Sequence, residues 1–215
     1  VLESESIITK PLRIPLYGIT LDSVDPGLNS IVDSVKSFNR TVVLRIVLDE
    51  GTTPSDYLAA ISALDPVSPI MGEIIDSFYV KDYTVEQLVN KTNSFLDAFG
   101  DSIDLWEVGN EINGEWLGTT SDVVVKVGAI FDAVKSRGLA TSLTLYFNQD
   151  DQENTCWSSA DHEMFKWTFA NIPQRIKNGI DYVFVSWYID DCPGLNEPNW
   201  PNVFKNVSKI FPNSR

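Results

Sequence analysis

One short segment in the middle of the chain has residue types suited to acid–base chemistry. Residues 106–116 read WEVGNEINGEW, with Glu111 directly after an apolar run and the pair Gly109-Asn110. A carboxyl group in a partly desolvated cleft holds its proton to higher pH, so it can act first as a general acid and then as a base. Glu111 is therefore the candidate catalytic acid/base. Glu115 lies in the loop beyond this pair and is discounted.

The surrounding sequence alternates strand-like apolar runs with helical segments. We predict strands at 12–20, 41–48, 70–75, 103–109, 140–147 and 182–189, and helices at 28–38, 55–64, 84–99, 121–137, 161–171 and 202–210. Thr84 and Gln87 predict a capping box at the start of the third helix. Six successive β/α units predict an α/β fold with a parallel sheet, in which Glu111 follows the fourth strand.

One architecture that fits is a TIM-type (β/α) barrel, which has eight units when complete; this chain would then be a single domain over residues 1–215 with about six units, lacking units 7 and 8. A doubly wound open sheet is the alternative architecture. Residues 21–24 (LDSV) follow the first strand and contain no glycine-rich phosphate loop, which argues against a nucleotide-binding version of that sheet.

Gly109-Asn110-Glu111 at the end of a fourth strand resembles the acid/base motif of clan A glycoside hydrolases, which are (β/α)8 barrels. The resemblance implies that Glu111 protonates the leaving oxygen and that Asn110 bonds the sugar 2-hydroxyl. It also implies a nucleophilic Glu at the end of a seventh strand, a position beyond Arg215. Retention requires that carboxylate roughly 5 Å across the bond.

The leading hypothesis is therefore a retaining glycosidase that acts on a glycan and is inactive if 215 residues are the whole molecule. The second hypothesis is a non-catalytic carbohydrate-binding protein on a degenerate hydrolase scaffold. An α/β enzyme of another chemistry has less support, because the sequence offers no glycine-rich loop, histidine-based triad or metal-ligand spacing.

Strand alternation places Glu107, Gly109 and Glu111 on one side of the fourth strand. Glu107 would then point into the barrel beneath Glu111, where a bare carboxylate is costly. Arg45 on the second strand is the expected partner of Glu107. We favour an ion pair between Glu107 and Arg45 in the core, and a direct role of Glu107 in substrate binding is the alternative.

Aromatic and acidic side chains near the strand ends are candidates for binding sugar, because aromatic faces pack against the C–H faces of sugar rings. Tyr188 ends the sixth strand, where the resembling enzymes often place a tyrosine that bonds the nucleophile. The other substrate-binding candidates are Trp187, Trp116, Trp157, Asp49 and Glu50. Weaker candidates for the same mouth are Trp200, Glu73, Asp76, Asp190 and Asp191, whereas Trp106 and Trp167 are assigned to the core.

Composition limits the partners. The net charge of −14 argues against nucleic acid, and a neutral carbohydrate is the expected ligand. With one histidine and two cysteines, no metal site or cofactor is expected, and no apolar run spans a bilayer. The oligomeric state is open.

Three N-x-[ST] sequons, at Asn39, Asn90 and Asn206, indicate a secreted glycoprotein. A disulfide between Cys156 and Cys192 would tie together the loops after the fifth and sixth strands, and two free thiols are the alternative.

Overall fold

The computed structural model describes residues 12, 16–21, 23–25, 27–148, 157–191 and 197–215. Within them, the strands are β1 (Gly18–Leu21), β2 (Val43–Val47), β3 (Ile70–Glu73), β4 (Leu105–Glu107), β5 (Thr141–Tyr146) and β6 (Tyr182–Ser186). The helices are α1 (Leu28–Ser37), α2 (Pro54–Leu64), α3 (Val85–Phe99), α4 (Thr120–Ser136), α5 (Met164–Asn171), α6 (Gln174–Gly179) and α7 (Trp200–Ile210). Short 3-10 helices span Ser77–Asp82, Glu115–Leu117 and Ala160–His162.

The six strands form one parallel sheet in the order β1-β2-β3-β4-β5-β6, curled into a half-barrel with helices between the strands. Each strand pairs with the next one along the chain, so every β/α unit advances by one strand in the same direction. A doubly wound sheet reverses its strand order at a switch point, and no reversal occurs among these strands. The predicted α/β fold with a parallel sheet is confirmed.

Local sequence sets the helix boundaries. Thr84 and Gln87 form the predicted capping box, with the Thr84 N–H 2.7 Å from Gln87 Oε1 and the Gln87 N–H 3.1 Å from Thr84 Oγ1. Helix α5 begins at Met164 and not at residue 161, because the Glu163 carboxylate accepts from two N–H groups of its first turn. Helix α6 was not predicted; it is a short six-residue helix after Pro173.

The two faces of the sheet differ in chemistry. Leu44, Ile70, Trp106 and Leu143 belong to the main apolar core, which the helices cover. The concave face carries a smaller apolar cluster of Val43, Met71, Leu105 and Tyr182, and polar side chains lie closer to the carboxyl ends of the strands. Burying each large apolar side chain stabilises the fold by about 1.5–3 kcal/mol, so the helix-covered face supplies most of the stability.

Arg215 occupies the edge of β6. Its backbone N–H donates to Asp181 O at 2.9 Å, and the Val183 N–H donates to Arg215 O at 3.1 Å. Two bonds from one residue to positions two apart are the pattern of parallel strand pairing. Arg215 therefore lies against β6 as a strand residue would.

Among the described residues, no helix combines the length and the apolar character needed to cross a membrane.

Candidate active site

The chain leaves β4 through a bulge, and the bulge carries Glu111. The Thr144 N–H donates to Gly109 O at 3.0 Å, and Thr144 O accepts from the Ile112 N–H at 3.3 Å. In a regular parallel ladder, the residue that donates to Thr144 O would lie two positions after the residue that accepts from the Thr144 N–H. Here Ile112 lies three positions after Gly109. The extra residue is accommodated by a β-bulge, a device that re-aims side chains beside functional sites.

Glu111 has a left-handed backbone, with φ of 48°, and no other non-glycine residue of the described chain has a positive φ. A left-handed conformation costs a non-glycine residue about 1–2 kcal/mol, so the surroundings must hold it in place. The Gly114 N–H donates to Glu111 O at 2.8 Å and closes a tight turn. The Glu111 side chain is only 9% exposed and lines the cavity of the concave face.

Asn113 anchors this turn, and the sequence reading missed it. Its fully buried side chain accepts from the Tyr146 N–H at 2.8 Å and donates to Tyr146 O at 2.9 Å and to His162 O at 3.1 Å. The amide thus continues the β5 ladder where the backbone has bulged away. An Asn two residues after a candidate catalytic Glu was the available signal, because a buried amide must find partners.

The expectation that Gly109 shares a side with Glu107 and Glu111 is wrong. A Cβ on Gly109 would lie 2.5 Å from Ile112 Cγ2 and 3.0 Å from Val127 Cγ2, so this position faces helix α4 and not the cavity. Strict alternation ends at Glu107, where β4 ends, because the bulge inserts residues that the period of two does not count.

We expect Gly109→Ala to lower the free energy of unfolding by about 1–3 kcal/mol, the usual cost of overpacking. Urea denaturation of the two proteins measures the difference. Ile112→Leu removes the obstructing Cγ2 methyl group, so the double variant should recover part of the loss relative to Ile112→Leu alone. Equal midpoints for wild type and Gly109→Ala would contradict this packing.

Tyr188 holds the Glu111 carboxylate. Its hydroxyl donates to Glu111 Oε1 at 3.0 Å. Burial raises the pKa of Tyr188 to about 12, with the charge of Glu111 and this hydrogen bond adding to the effect, so the phenol remains a donor over the physiological range. The resemblance suggested that this tyrosine bonds the nucleophile, and in the structure its partner is Glu111.

Beneath Glu111 lies the predicted ion pair, and it has a third member. Arg45 Nε donates to Glu107 Oε2 at 2.7 Å, which confirms the predicted pairing, and Thr144 Oγ1 donates to the other oxygen of Glu107. Arg45 Nη2 also lies 2.7 Å from Glu73 Oε2. That second contact lacks hydrogen-bond geometry, and no described residue hydrogen bonds to either oxygen of Glu73. Glu73 is 0% exposed, so it does not line the mouth as expected.

Two buried carboxylates share one guanidinium, and their electrostatics differ. Burial raises the pKa of Glu73 well above its usual value, the charge of Glu107 adds to this, and Arg45 opposes it only in part. Burial also raises the pKa of Glu107, although Arg45 and the Thr144 hydroxyl favour its ionised form. Burial lowers the pKa of Arg45, but the two glutamates outweigh it and raise the pKa overall. Glu73 is therefore the member that keeps a proton most readily.

This arrangement predicts a pH-dependent stability. A carboxyl whose folded pKa lies above its unfolded pKa stabilises the fold at low pH, and that contribution is lost as the pH rises from about 4.5 through the folded pKa. We expect Glu73→Gln to match wild type near pH 4.5 and to be the more stable protein at pH 8, with about 1.4 kcal/mol gained per unit of pKa shift removed. Urea unfolding across this pH range measures the effect, and parallel curves would refute a protonated Glu73.

A cavity of about 440 Å³ lies along the concave face, from Gly18 and Val43 at the amino ends of their strands to Glu111 and Ser186 at the carboxyl ends. Its polar lining residues are Thr20, Arg45, Asn110, Glu111, Thr144 and Ser186, with the tyrosines Tyr17 and Tyr188. Glu111 is the sole carboxylate among the described residues that line it. The cavity thus combines one acid, several hydroxyl-bonding groups and an apolar floor.

A run of aromatic rings extends from Tyr188 along one side of the site. Tyr146 lies 6.1 Å from Tyr188 and makes edge contacts with Trp116 and Trp157, at 5.5 and 5.1 Å between ring centroids. The two tryptophans stack at 6.2 Å. Trp157 is only 8% exposed, so Trp116 and Tyr188 are the members of this aromatic wall that remain open to a ligand.

Of the six predicted substrate-binding residues, Tyr188 lines this cavity and the other five do not. Trp116 and Trp157 belong to the aromatic wall beside it. Trp187 packs edge-on against Trp200 at 5.8 Å. Asp49 accepts from the Tyr57 hydroxyl at 3.1 Å, and the charge of Glu50 raises the pKa of the nearby Tyr79 hydroxyl. Both acids serve loop structure beyond β2.

Glu115, which was discounted as a catalytic acid, links two loops. Its carboxylate accepts from the Ser158 N–H, the Ser158 hydroxyl and the Ser159 N–H, at 2.8–3.1 Å. These bonds tie the Trp116 segment to the Trp157 segment. Cys156 and Cys192 lie outside the described residues.

No protein-family model matches the chain, and no curated protein matches it. Within the described part of the chain, no three His, Cys, Asp or Glu side chains gather in a way that could hold a metal ion.

Proposed function

We propose that this chain forms most of a (β/α)-barrel glycoside hydrolase that acts with retention of anomeric configuration. The observation that carries the proposal is the position of Glu111, an acid that a bulge fixes after the carboxyl end of the fourth strand, where it lines the cavity of the concave face. Catalytic residues of β/α barrels occupy this end of the strands. The partial barrel, the motif after β4 and the aromatic wall support the same class of enzyme.

The hydrogen bond from Tyr188 suggests how Glu111 would act. Because the hydroxyl donates to Oε1, the proton of the neutral acid belongs on Oε2, the oxygen left free to face the glycosidic oxygen. Glu111 would protonate the departing oxygen and then remove a proton from the incoming water. Asn110, which also lines the cavity, would bond the sugar 2-hydroxyl, and Trp116 with Tyr188 would contact the apolar face of a sugar ring.

The proposal assigns the nucleophile to a Glu from chain beyond residue 215. Glu73 and Glu107 are poor candidates, since both are almost fully buried and both are held by Arg45. The backbone pairing of Arg215 with β6 supports a further strand at this edge, from which a carboxylate could reach the cavity roughly 5 Å from Glu111.

The test uses the protein expressed from its complete reading frame and from a secretory host. A panel of dinitrophenyl and methylumbelliferyl glycosides, followed by proton NMR, would reveal turnover and the anomer first released. Hydrolysis with retention supports the proposal. Inversion, or no turnover on the panel and on natural polysaccharides, would overturn it.

A second candidate is a carbohydrate-binding protein that has lost catalysis. It is favoured by one observation: the described lining of the cavity contains a single carboxylate beside an aromatic wall. Titration calorimetry with oligosaccharides distinguishes the two candidates, because this one predicts saturable binding without any product after prolonged incubation.

A further inference from the structure

The three sequons lie in different structural settings. Asn39, Arg40 and Thr41 are all exposed and form the bend between α1 and β2. Neither the Asn39 amide nor the Thr41 hydroxyl interacts with any other described residue. Both groups that define an N-glycosylation acceptor are therefore open at this position.

The second sequon is part of helix α3. Asn90 is exposed, but Thr92 is 0% exposed and its hydroxyl donates to Leu88 O at 2.7 Å. An enzyme that must grip this hydroxyl would have to unwind a helix whose apolar face is buried against the core. In the packed helix the Thr92 hydroxyl is therefore closed to the enzyme, whereas the Thr41 hydroxyl is open.

The third sequon lies inside helix α7. The Asn206 amide oxygen accepts from Lys209 Nζ at 3.0 Å, and the Ser208 hydroxyl donates to Phe204 O at 2.5 Å. The Ser208 hydroxyl is thus engaged along the helix, and Asn206, whose amide oxygen is hydrogen-bonded, is half-buried.

We propose that Asn39 is the N-glycosylated residue of this protein, and that Asn90 and Asn206 remain unmodified. The ligand class is an oligosaccharide carried on a lipid diphosphate. The Asn39 amide nitrogen forms a bond to C1 of the first sugar, the bond from C1 to the diphosphate oxygen breaks, and the amide proton passes to a base of the transferase. The lipid diphosphate is the leaving group.

The position of Asn39 suits a permanent glycan. It precedes the amino end of β2, whereas Glu111 follows the carboxyl end of β4 in the same parallel sheet, so Asn39 and Glu111 belong to opposite ends of the sheet. Two exposed aromatic rings lie nearby in the structure: Phe38 is 44% exposed and Tyr17 is 49% exposed beneath the Arg40 guanidinium. A sugar at Asn39 would shield this apolar surface from water.

The test is site-specific and does not depend on any glycosidase activity. The chain is secreted from a eukaryotic host behind an added signal peptide, then treated with peptide N-glycosidase in ¹⁸O water, and its peptides are mapped by mass spectrometry. The isotope label is expected at Asn39, with at least tenfold lower occupancy at the other two sequons.

Variants provide the control. Asn39→Gln and Thr41→Ala, both at exposed positions, should each remove the whole glycan mass from the secreted protein. Asn90→Gln and Asn206→Gln should leave that mass unchanged. An unmodified Asn39, or a label of equal strength at Asn90 or Asn206, would overturn the proposal.

Discussion

Glu111→Gln is expected to lower kcat on methylumbelliferyl glycosides by about 10²–10⁴-fold, the usual contribution of a positioned general acid and base. The amide keeps the shape of the side chain and can still accept from the Tyr188 hydroxyl. It cannot protonate a leaving oxygen or take a proton from water. Initial-rate measurements on the protein expressed from its complete reading frame give the ratio, and KM should change little by comparison.

The leaving group gives this prediction a signature that misfolding would not produce. Dinitrophenolate departs without protonation, so the first step of Glu111→Gln should be nearly unimpaired on dinitrophenyl glycosides and the second step should become limiting. Azide needs no general base and should then restore turnover by forming a glycosyl azide. Glu86→Gln makes the same chemical change on the exposed first turn of α3 and should match wild type. Equal losses on both substrate classes, without rescue by azide, would argue against the acid/base role.

The sequence predicted the fold well because the relevant signal is periodic. Six apolar runs and the helical segments between them define parallel β/α units with no knowledge of long-range contacts. The Arg45–Glu107 pair was also within reach, since a carboxylate on an inward strand position requires a partner. Glu73 was not recognised as the third member because its position at a strand end suggested the solvent-exposed mouth.

The sequence pattern could not predict the geometry around Glu111, and the reason is physical. A bulge adds a residue to the ladder, and neither hydrophobic period nor propensity records one. Gly109 therefore faces α4, and Asn113 takes over the β5 hydrogen bonds that the backbone gives up. In the sequence, an acid such as Asp49 that stabilises a loop looks the same as an acid that binds substrate. Only the hydrogen bond from the Tyr57 hydroxyl, seen in the structure, assigns Asp49 to the loop.

Arg45→Met is expected to cause a large loss of stability. It leaves Glu73 and Glu107 buried without their shared cation, and breaking a buried pair in this way costs about 3–5 kcal/mol. The loss should be greatest at pH 8, where both carboxyls are driven to ionise, and smaller near pH 4.5, where protonation removes the unpaired charges. Urea unfolding at the two pH values measures it.

Two matched variants separate charge from packing. Arg175→Met breaks an exposed pair with Asp132, whose side chains are 50% and 56% exposed, and should cost less than about 1 kcal/mol at either pH. The triple variant Arg45→Met, Glu73→Gln, Glu107→Gln removes all three charges and should regain most of the stability lost by Arg45→Met, because a neutral interior no longer carries unpaired ions. If the triple variant were as unstable as Arg45→Met alone, the cost would belong to lost packing, and the cluster would stabilise the barrel by shape and not by charge pairing.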